Sequence, residues 1–187
     1  MHRLTEDQGK LLLKIARERI AALLAGVNRF DSAPYQQEKW LFEPGAVFVT
    51  LTINGELRGC IGSLEAYRPL FNDLTGNAGN AGFRDPRFAP LTYSEFKQTK
   101  IEVSVLTPRQ TLEYKDAAEL KKKLRPGTDG VYLTHDGYGA TFLPQVWDEL
   151  PDFEDFFHHL CRKAGLSVEC IQHGQAKIEI YQVQKFE

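Results

Sequence analysis

The chain has 187 residues, 42% of them hydrophobic and 11% aromatic, enough to bury a sizeable core without a metal or disulfide staple. Its 23 basic and 25 acidic residues leave a formal net charge of -2, which argues against nucleic acid or an anionic membrane as a partner. Three cysteines make no disulfide framework and no segment is a signal or spanning helix, so reduced thiols in a cytoplasm are expected.

Thr5-Glu6-Asp7-Gln8 is a capping box, after which Leu12, Ile15, Ala16, Ile20, Leu23 and Leu24 recur at helical spacing up to Gly26. The pattern predicts a helix over residues 6 to 25. A loop with Pro34 and Pro44 leads to Val47-Phe48-Val49-Thr50-Leu51-Thr52-Ile53, a strand by its β-branched content, and Asn54-Gly55 turns it into Glu56-Leu57-Arg58-Gly59-Cys60-Ile61-Gly62. With those two residues as the turn, Ile53 pairs with Glu56, Leu51 with Arg58 and Val49 with Cys60, so Arg58 and Cys60 share a face. Pro69 opens a second helix running to about Gly82. Within it Gly76, Gly79 and Gly82 alternate with Ala78 and Ala81, at a propensity cost of about 1 kcal/mol per glycine. Close packing on a sheet explains such a stripe, with space for a ligand as the alternative; neither a phosphate loop nor a dinucleotide fingerprint is present.

Asp85-Pro86-Arg87-Phe88-Ala89-Pro90 cannot be helical and predicts a rigid, charged loop. Thr92 to Glu95 caps a short helix, and Ile101-Glu102-Val103-Ser104-Val105 alternates as a strand on which Glu102 and Ser104 point together. A helix near residues 116 to 124 carries Lys121-Lys122-Lys123, a solvated face with Arg125 beyond it. A second hairpin follows around Asp136-Gly137, then a helix capped by Asp152 and stopped by Gly165, then a terminal strand from about Ala176 to Val183. This order predicts an α+β fold, a mainly antiparallel sheet flanked by helices, with no doubly wound alternation. It reads as a single domain over 1–187 with a smaller second lobe at about 108–150, the main domain being continuous or split around it.

Cys60 is the candidate nucleophile. Arg58 on the same face would favour its thiolate, whereas a buried thiol acting as a small hydrophobe is the plain alternative. Gly59 and Gly62 bracket it, and glycine inside a strand marks close approach of backbone or ligand. Arg84, Asp85 and Arg87 could clamp a carboxylate or phosphate, or could simply fix their own loop. Glu102 is expected to be the buried partner of Arg58. A histidine partner for the thiol would have to be His135, His158, His159 or His173, brought in by folding. His158, His159 and Cys161 do not have the spacing of a metal site, no motif specifies a cofactor, and Trp40 and Trp147 read as packing aromatics.

The Arg58-Gly59-Cys60-Ile61-Gly62 segment, together with Asn77 to Phe88, Ile101 to Leu106 and Thr141 to Val146, resembles the AMMECR domain family over nearly the whole chain. The resemblance implies an α+β fold of two lobes with a cleft around that segment. It further implies an association with a Memo-like dioxygenase homologue and a radical-SAM protein. Two departures stand out: residues 168 to 171 replace a tryptophan that members usually carry, and Ala89 replaces a common proline. Two function classes follow. In one, the cleft beside Cys60 binds a small molecule or peptide, with Cys60 and Arg58 catalytic and Gly59, Gly62, Asp85, Arg87 and Glu102 binding the substrate, so that the protein is a thiol-dependent enzyme or an enzyme's accessory component. In the other, the same hairpin belongs to a non-catalytic adaptor.

Overall fold

A computed structural model describes residues 3–187. Its strands are β1 (Ala46–Ile53), β2 (Glu56–Gly62), β3 (Lys100–Leu106), β4 (Gln110–Thr111), β5 (Gly130–His135), β6 (Tyr138–Phe142), β7 (Lys177–Tyr181) and β8 (Val183–Phe186). Its helices are α1 (Glu6–Leu24), α2 (Leu70–Phe83), α3 (Tyr93–Phe96), α4 (Ala117–Lys123), α5 (Val146–Glu149) and α6 (Phe153–Ala164). Two four-stranded sheets form, in the orders β2-β1-β3-β8 and β4-β7-β5-β6, and the fold is α+β. The chain divides into two compact units, Met1–Thr107 with Gln184–Glu187, and Pro108–Val183. The second unit thus reaches well past residue 150, because α6 and β7 belong to it.

In the first unit, both halves of the capping box form at Thr5 and Gln8, and Gly26 follows the C-cap at φ 78°. Leu12, Ile15, Ala16 and Ile20 are buried without exposure. They join Leu70, Leu74 and Ala78 of α2 and Val47, Val49, Leu51 and Val103 of the sheet in one core, each large side chain contributing about 1.5–3 kcal/mol by leaving water. Sequence alternation puts those sheet residues on one face and Phe48, Thr50, Thr52, Glu102 and Ser104 on the other.

The glycine stripe of α2 serves helix packing more than sheet packing. A Cβ on Gly79 would lie 2.9 Å from Leu23 Cδ1 of α1, whereas one on Gly82 would meet Leu91 and Leu51 at ordinary contact distances. Asp73 of the same helix is wholly buried and fully engaged. Its Oδ2 accepts from the Val47 amide (2.9 Å) and Asn77 Nδ2 (3.1 Å), its Oδ1 from Ser63 Oγ (2.6 Å) and Arg68 Nε (2.8 Å). One carboxylate therefore ties the start of β1 to both ends of the 63–68 loop.

In the second unit, Phe156, Phe157 and Leu160 of α6 pack with Val131, Leu133 and Ala140 of the sheet. Trp147 stacks on Phe156 at 3.6 Å between centroids and donates to the Asp129 carbonyl (2.9 Å). Asp136 and Gly137 make the hairpin turn at positive φ, and Gly165 ends α6 in the left-handed region. The basic run is a paired surface: Lys121 meets Glu154, Lys123 meets Glu119 and Arg125 meets Asp129. The single terminal strand expected over 176 to 183 is instead two, β7 and β8, in different sheets. Continuous β-pattern marks extended backbone and carries no information about a change of sheet.

Candidate functional site

The hairpin that carries Cys60 turns as its sequence demands, with Asn54 at φ 54° and Gly55 at φ 86°. Ile53 pairs with Glu56 and Thr52 with Leu57; then Arg58 is an extra residue in β2, and Leu51 faces Gly59, Thr50 faces Cys60 and Val49 faces Ile61. The expected pairing of Leu51 with Arg58 and Val49 with Cys60 is corrected by one position. A bulge of this kind leaves no trace in a count from the turn. Its effect is large, because in the unbulged register Cys60 would share the face of Val49, which is fully buried. The bulge rotates the thiol out of the core and onto the face of Thr50, where Cys60 is half-buried.

There the Thr50 hydroxyl donates to Cys60 Sγ at 3.3 Å. The Cys60 amide donates to Asp85 Oδ2 at 2.8 Å, and its carbonyl accepts from Arg87 Nη2 at 3.3 Å. Since β2 is the edge of its sheet, these two side chains occupy the hydrogen-bonding positions that a further strand would use. Asp85 is buried and Arg87 is half exposed, and the two are joined by paired bonds of 3.0 and 2.7 Å. The Arg87 hydrogen bonds hold the Asp85 carboxyl well below the usual carboxylate range, against the opposing effect of burial, and Arg87 is raised chiefly by Asp85. Of the two roles weighed for this cluster, fixing the loop is visible directly; the exposed Arg84 makes no side-chain bond among the described residues.

Arg58 makes no bond to the thiol among the described residues. Its Nε and Nη2 bond Glu95 at 2.9 and 3.3 Å, Nη2 also reaches the Ala89 carbonyl at 2.9 Å, and its guanidinium stands over Phe88. Arg87 stacks on the same ring. The expected pairing with Glu102 is thereby overturned: Glu95, the last residue of a capping box, takes that place. Glu95 is held at about 2 by the Arg58 bonds and then by Thr92. The cation that reaches Cys60 is that of Arg87.

Gly59 and Gly62 both have packing reasons to be glycine. A Cβ on Gly59 would fall 2.1 Å from the Ala81 carbonyl oxygen of α2, and one on Gly62 would strike the Phe48 ring. Glu102 sits on the same rung as Thr50 and Cys60, accepts from Ser104 Oγ at 3.0 Å and stands 3.8 Å from Lys185 Nζ. The four histidines weighed as thiol partners all belong to the second unit. So do Cys161 and Cys170, which are buried; burial pushes the Cys161 thiol up to about 12 and raises Cys170 as well. Among the described residues there is no cluster of three or more potential metal ligands, and no helix is long and apolar enough to cross a membrane.

Sequence reasoning missed Thr50 and Asp73. Thr50 was recoverable as a polar residue alternating with Val49 and Leu51, but only against the correct register. Asp73 lies in a helix that gave no sign that its carboxylate is internal.

Comparison with known proteins places this arrangement. The AMMECR1 family model matches residues 13–186. A protein of Methanothermobacter thermautotrophicus is 36% identical over 98% of this chain and 95% of its own length. Protein MJ0810 of Methanocaldococcus jannaschii is 35% identical over 100% of this chain and 93% of its own length. The crystal structure of the uncharacterized protein PH0010 from Pyrococcus horikoshii superposes with a TM-score of 0.81 at 30% identity, covering 97% of this chain and 92% of that one. The chain belongs to the AMMECR1 family.

Proposed function

We propose that Cys60 is the working thiol of a site that binds a small molecule or peptide, in a thiol-dependent enzyme or the accessory component of one. The observation that carries this is the way the thiol is held. Of three cysteines, Cys60 alone is not buried, its sulfur accepts a hydroxyl hydrogen bond, and both polar groups of its own peptide unit are gripped by side chains. A reactive group fixed on a strand and supported by locked neighbours is preorganised for chemistry. In this reading Sγ is the nucleophile or redox thiol, Thr50 positions it, and Asp85 with Arg87 holds its backbone. The association with Memo-like and radical-SAM proteins belongs to the same proposal and rests on family resemblance; the cytoplasmic location rests on three cysteines that make no disulfide framework.

A second reading, a non-catalytic adaptor, draws on Leu64 and Tyr67, both exposed on the loop that follows β2 and is anchored by Asp73. The test is alkylation of the native protein by iodoacetamide, resolved by peptide mass spectrometry. The thiol-site reading expects Cys60 to label well before Cys161 and Cys170, and Arg87→Ala to change its rate. A Cys60 that stays unlabelled until the protein unfolds would overturn it and favour the adaptor.

A further inference from the structure

The second unit buries two free cysteines, Cys161 of α6 and Cys170 of the 3-10 turn Val168–Ile171. A buried thiol by itself fills space as a small hydrophobe and asks for no further account. These two are not by themselves. They share one core with Phe157, Leu160 and Ile171. Their side chains are joined by a hydrogen bond that raises Cys161 and lowers Cys170, so Cys161 is the donor.

The local chain brings the pair together. Helix α6 stops at Gly165, whose φ of 75° reverses the backbone, and the Leu166 amide donates back to the Cys161 carbonyl at 2.9 Å. Ser167 then caps the 3-10 turn by accepting from the Glu169 amide at 3.3 Å, and the turn returns Cys170 to the helix it follows. From the other side, the Ala176 amide donates to the Cys170 carbonyl at 2.9 Å, and the Tyr114 hydroxyl holds the Ala176 carbonyl at 2.8 Å. Both cysteine carbonyls are thus tied down, and side-chain torsion is left to bring sulfur to sulfur.

We propose that Cys161 and Cys170 form a reversible internal disulfide, a redox site of the second unit that is independent of the reading given to Cys60. The oxidant is a low-molecular-weight disulfide. The Cys170 thiolate attacks one of its sulfurs and expels one small thiolate; Cys161 then attacks the Cys170 sulfur and expels the second. The two protons lost by the cysteines go to the two leaving thiolates, so one small disulfide becomes two small thiols as the protein dithiol becomes a disulfide. Burial of both sulfurs keeps the reagent out of the closed unit. Exchange therefore occurs as the unit folds or opens, and the state reached follows the surrounding thiol pool. The bond closes a loop of ten residues, 161 to 170, which lowers the unfolding constant of the second unit by about 100-fold.

The test is refolding of the full chain from urea into glutathione buffers of graded composition, with acid quenching and peptide mass spectrometry, run on the parent chain and on Cys60→Ser. Refolding gives the reagent access to both sulfurs before the unit closes. The expected product is one cross-link, between Cys161 and Cys170, in both chains. It should be half formed at a [GSH]²/[GSSG] about 100-fold higher for the folded chain than for the chain kept in urea. By linkage the unfolding constant of the oxidised chain should fall by that same factor, read from Trp147 fluorescence in a Trp40→Phe background so that the second unit alone reports. Oxidation at the same buffer ratio in folded and unfolded chains, mixed glutathione disulfides as the end product, or an oxidised chain no harder to unfold than the reduced one overturns the proposal. So does a parent chain that links Cys60 to either of the two.

Discussion

Gly59→Ala tests the claim that helix α2, and no ligand, dictates the glycine beside Cys60. The added methyl would start 2.1 Å from the Ala81 carbonyl oxygen and 3.1 Å from its carbon, so strand and helix must separate by about 1.3 Å to restore ordinary contact. The obstacle is backbone in the last turn of α2, flanked by fully buried Leu51 and Ala78, and no rotamer change relieves it. Overpacking usually costs about 1–3 kcal/mol, and this geometry belongs at about 3. Gly62→Ala is the matched control, because its methyl meets the Phe48 ring, which can swing aside on a half-buried face; about 1 kcal/mol is expected there. Urea unfolding followed by Trp40 fluorescence, in a Trp147→Phe background so that the first unit alone reports, measures both. If Gly59→Ala costs no more than Gly62→Ala, the close approach of α2 is not what fixes this residue.

Thr50→Val, which keeps the shape of the side chain and removes its donor, should slow native alkylation of Cys60 by about 2–10-fold, the factor a net hydrogen bond of about 0.5–1.5 kcal/mol represents; Thr50→Ser should restore the rate, and equal rates for all three would remove Thr50 from the site. Asp73→Ala strips four donors of a wholly buried acceptor and should cost the first unit about 3–5 kcal/mol, seen as early loss of Trp40 signal in the same urea assay. Glu95 has its folded pKa depressed to about 2, so its pairing with Arg58 stabilises the protein fully above the unfolded carboxylate value of about 4.3 and is lost as pH falls through the folded one. Glu95→Gln should therefore flatten the stability profile between about pH 5 and pH 2, and a profile identical to the parent's would contradict the ion pair.

What the sequence disclosed was what local chemistry decides. Capping boxes at Thr5 and Thr92, the cap at Asp152, the turns at Asn54 and Asp136 and the stop at Gly165 all stand where their residue types put them, since each depends on a few neighbouring dihedrals and hydrogen bonds. Residue type puts Cys60, Asp85 and Arg87 in one candidate site, with Asp85 and Arg87 as substrate ligands; in the structure these two hold the Cys60 backbone N–H and carbonyl. The failures lie where distant backbone decides. The bulge at Arg58 answers to the seat of Gly59 on Ala81, a contact across 22 residues that no hairpin rule contains, and it redirected both Arg58 and Cys60. Glu95 displaced Glu102 as the partner of Arg58 because α3 is carried to β2 by the 84–91 loop, and side-chain type cannot choose between two glutamates.

The arrangement of β8 gives the second unit a thermodynamic role that needs no surface contact. The second unit, Pro108 to Val183, is inserted between β3 and its neighbour β8 in the first sheet, its last residue being the first of β8. Were that segment unfolded, bringing β8 back to β3 would require closing a flexible loop of this length, an entropic cost of about 4 kcal/mol. Folded, the second unit sets the separation of its own ends in advance and removes most of that cost. Loosening its core should then release β8, bare the edge of β3 and soften the sheet that carries Cys60, so that stability passes from one unit to the other through the chain itself.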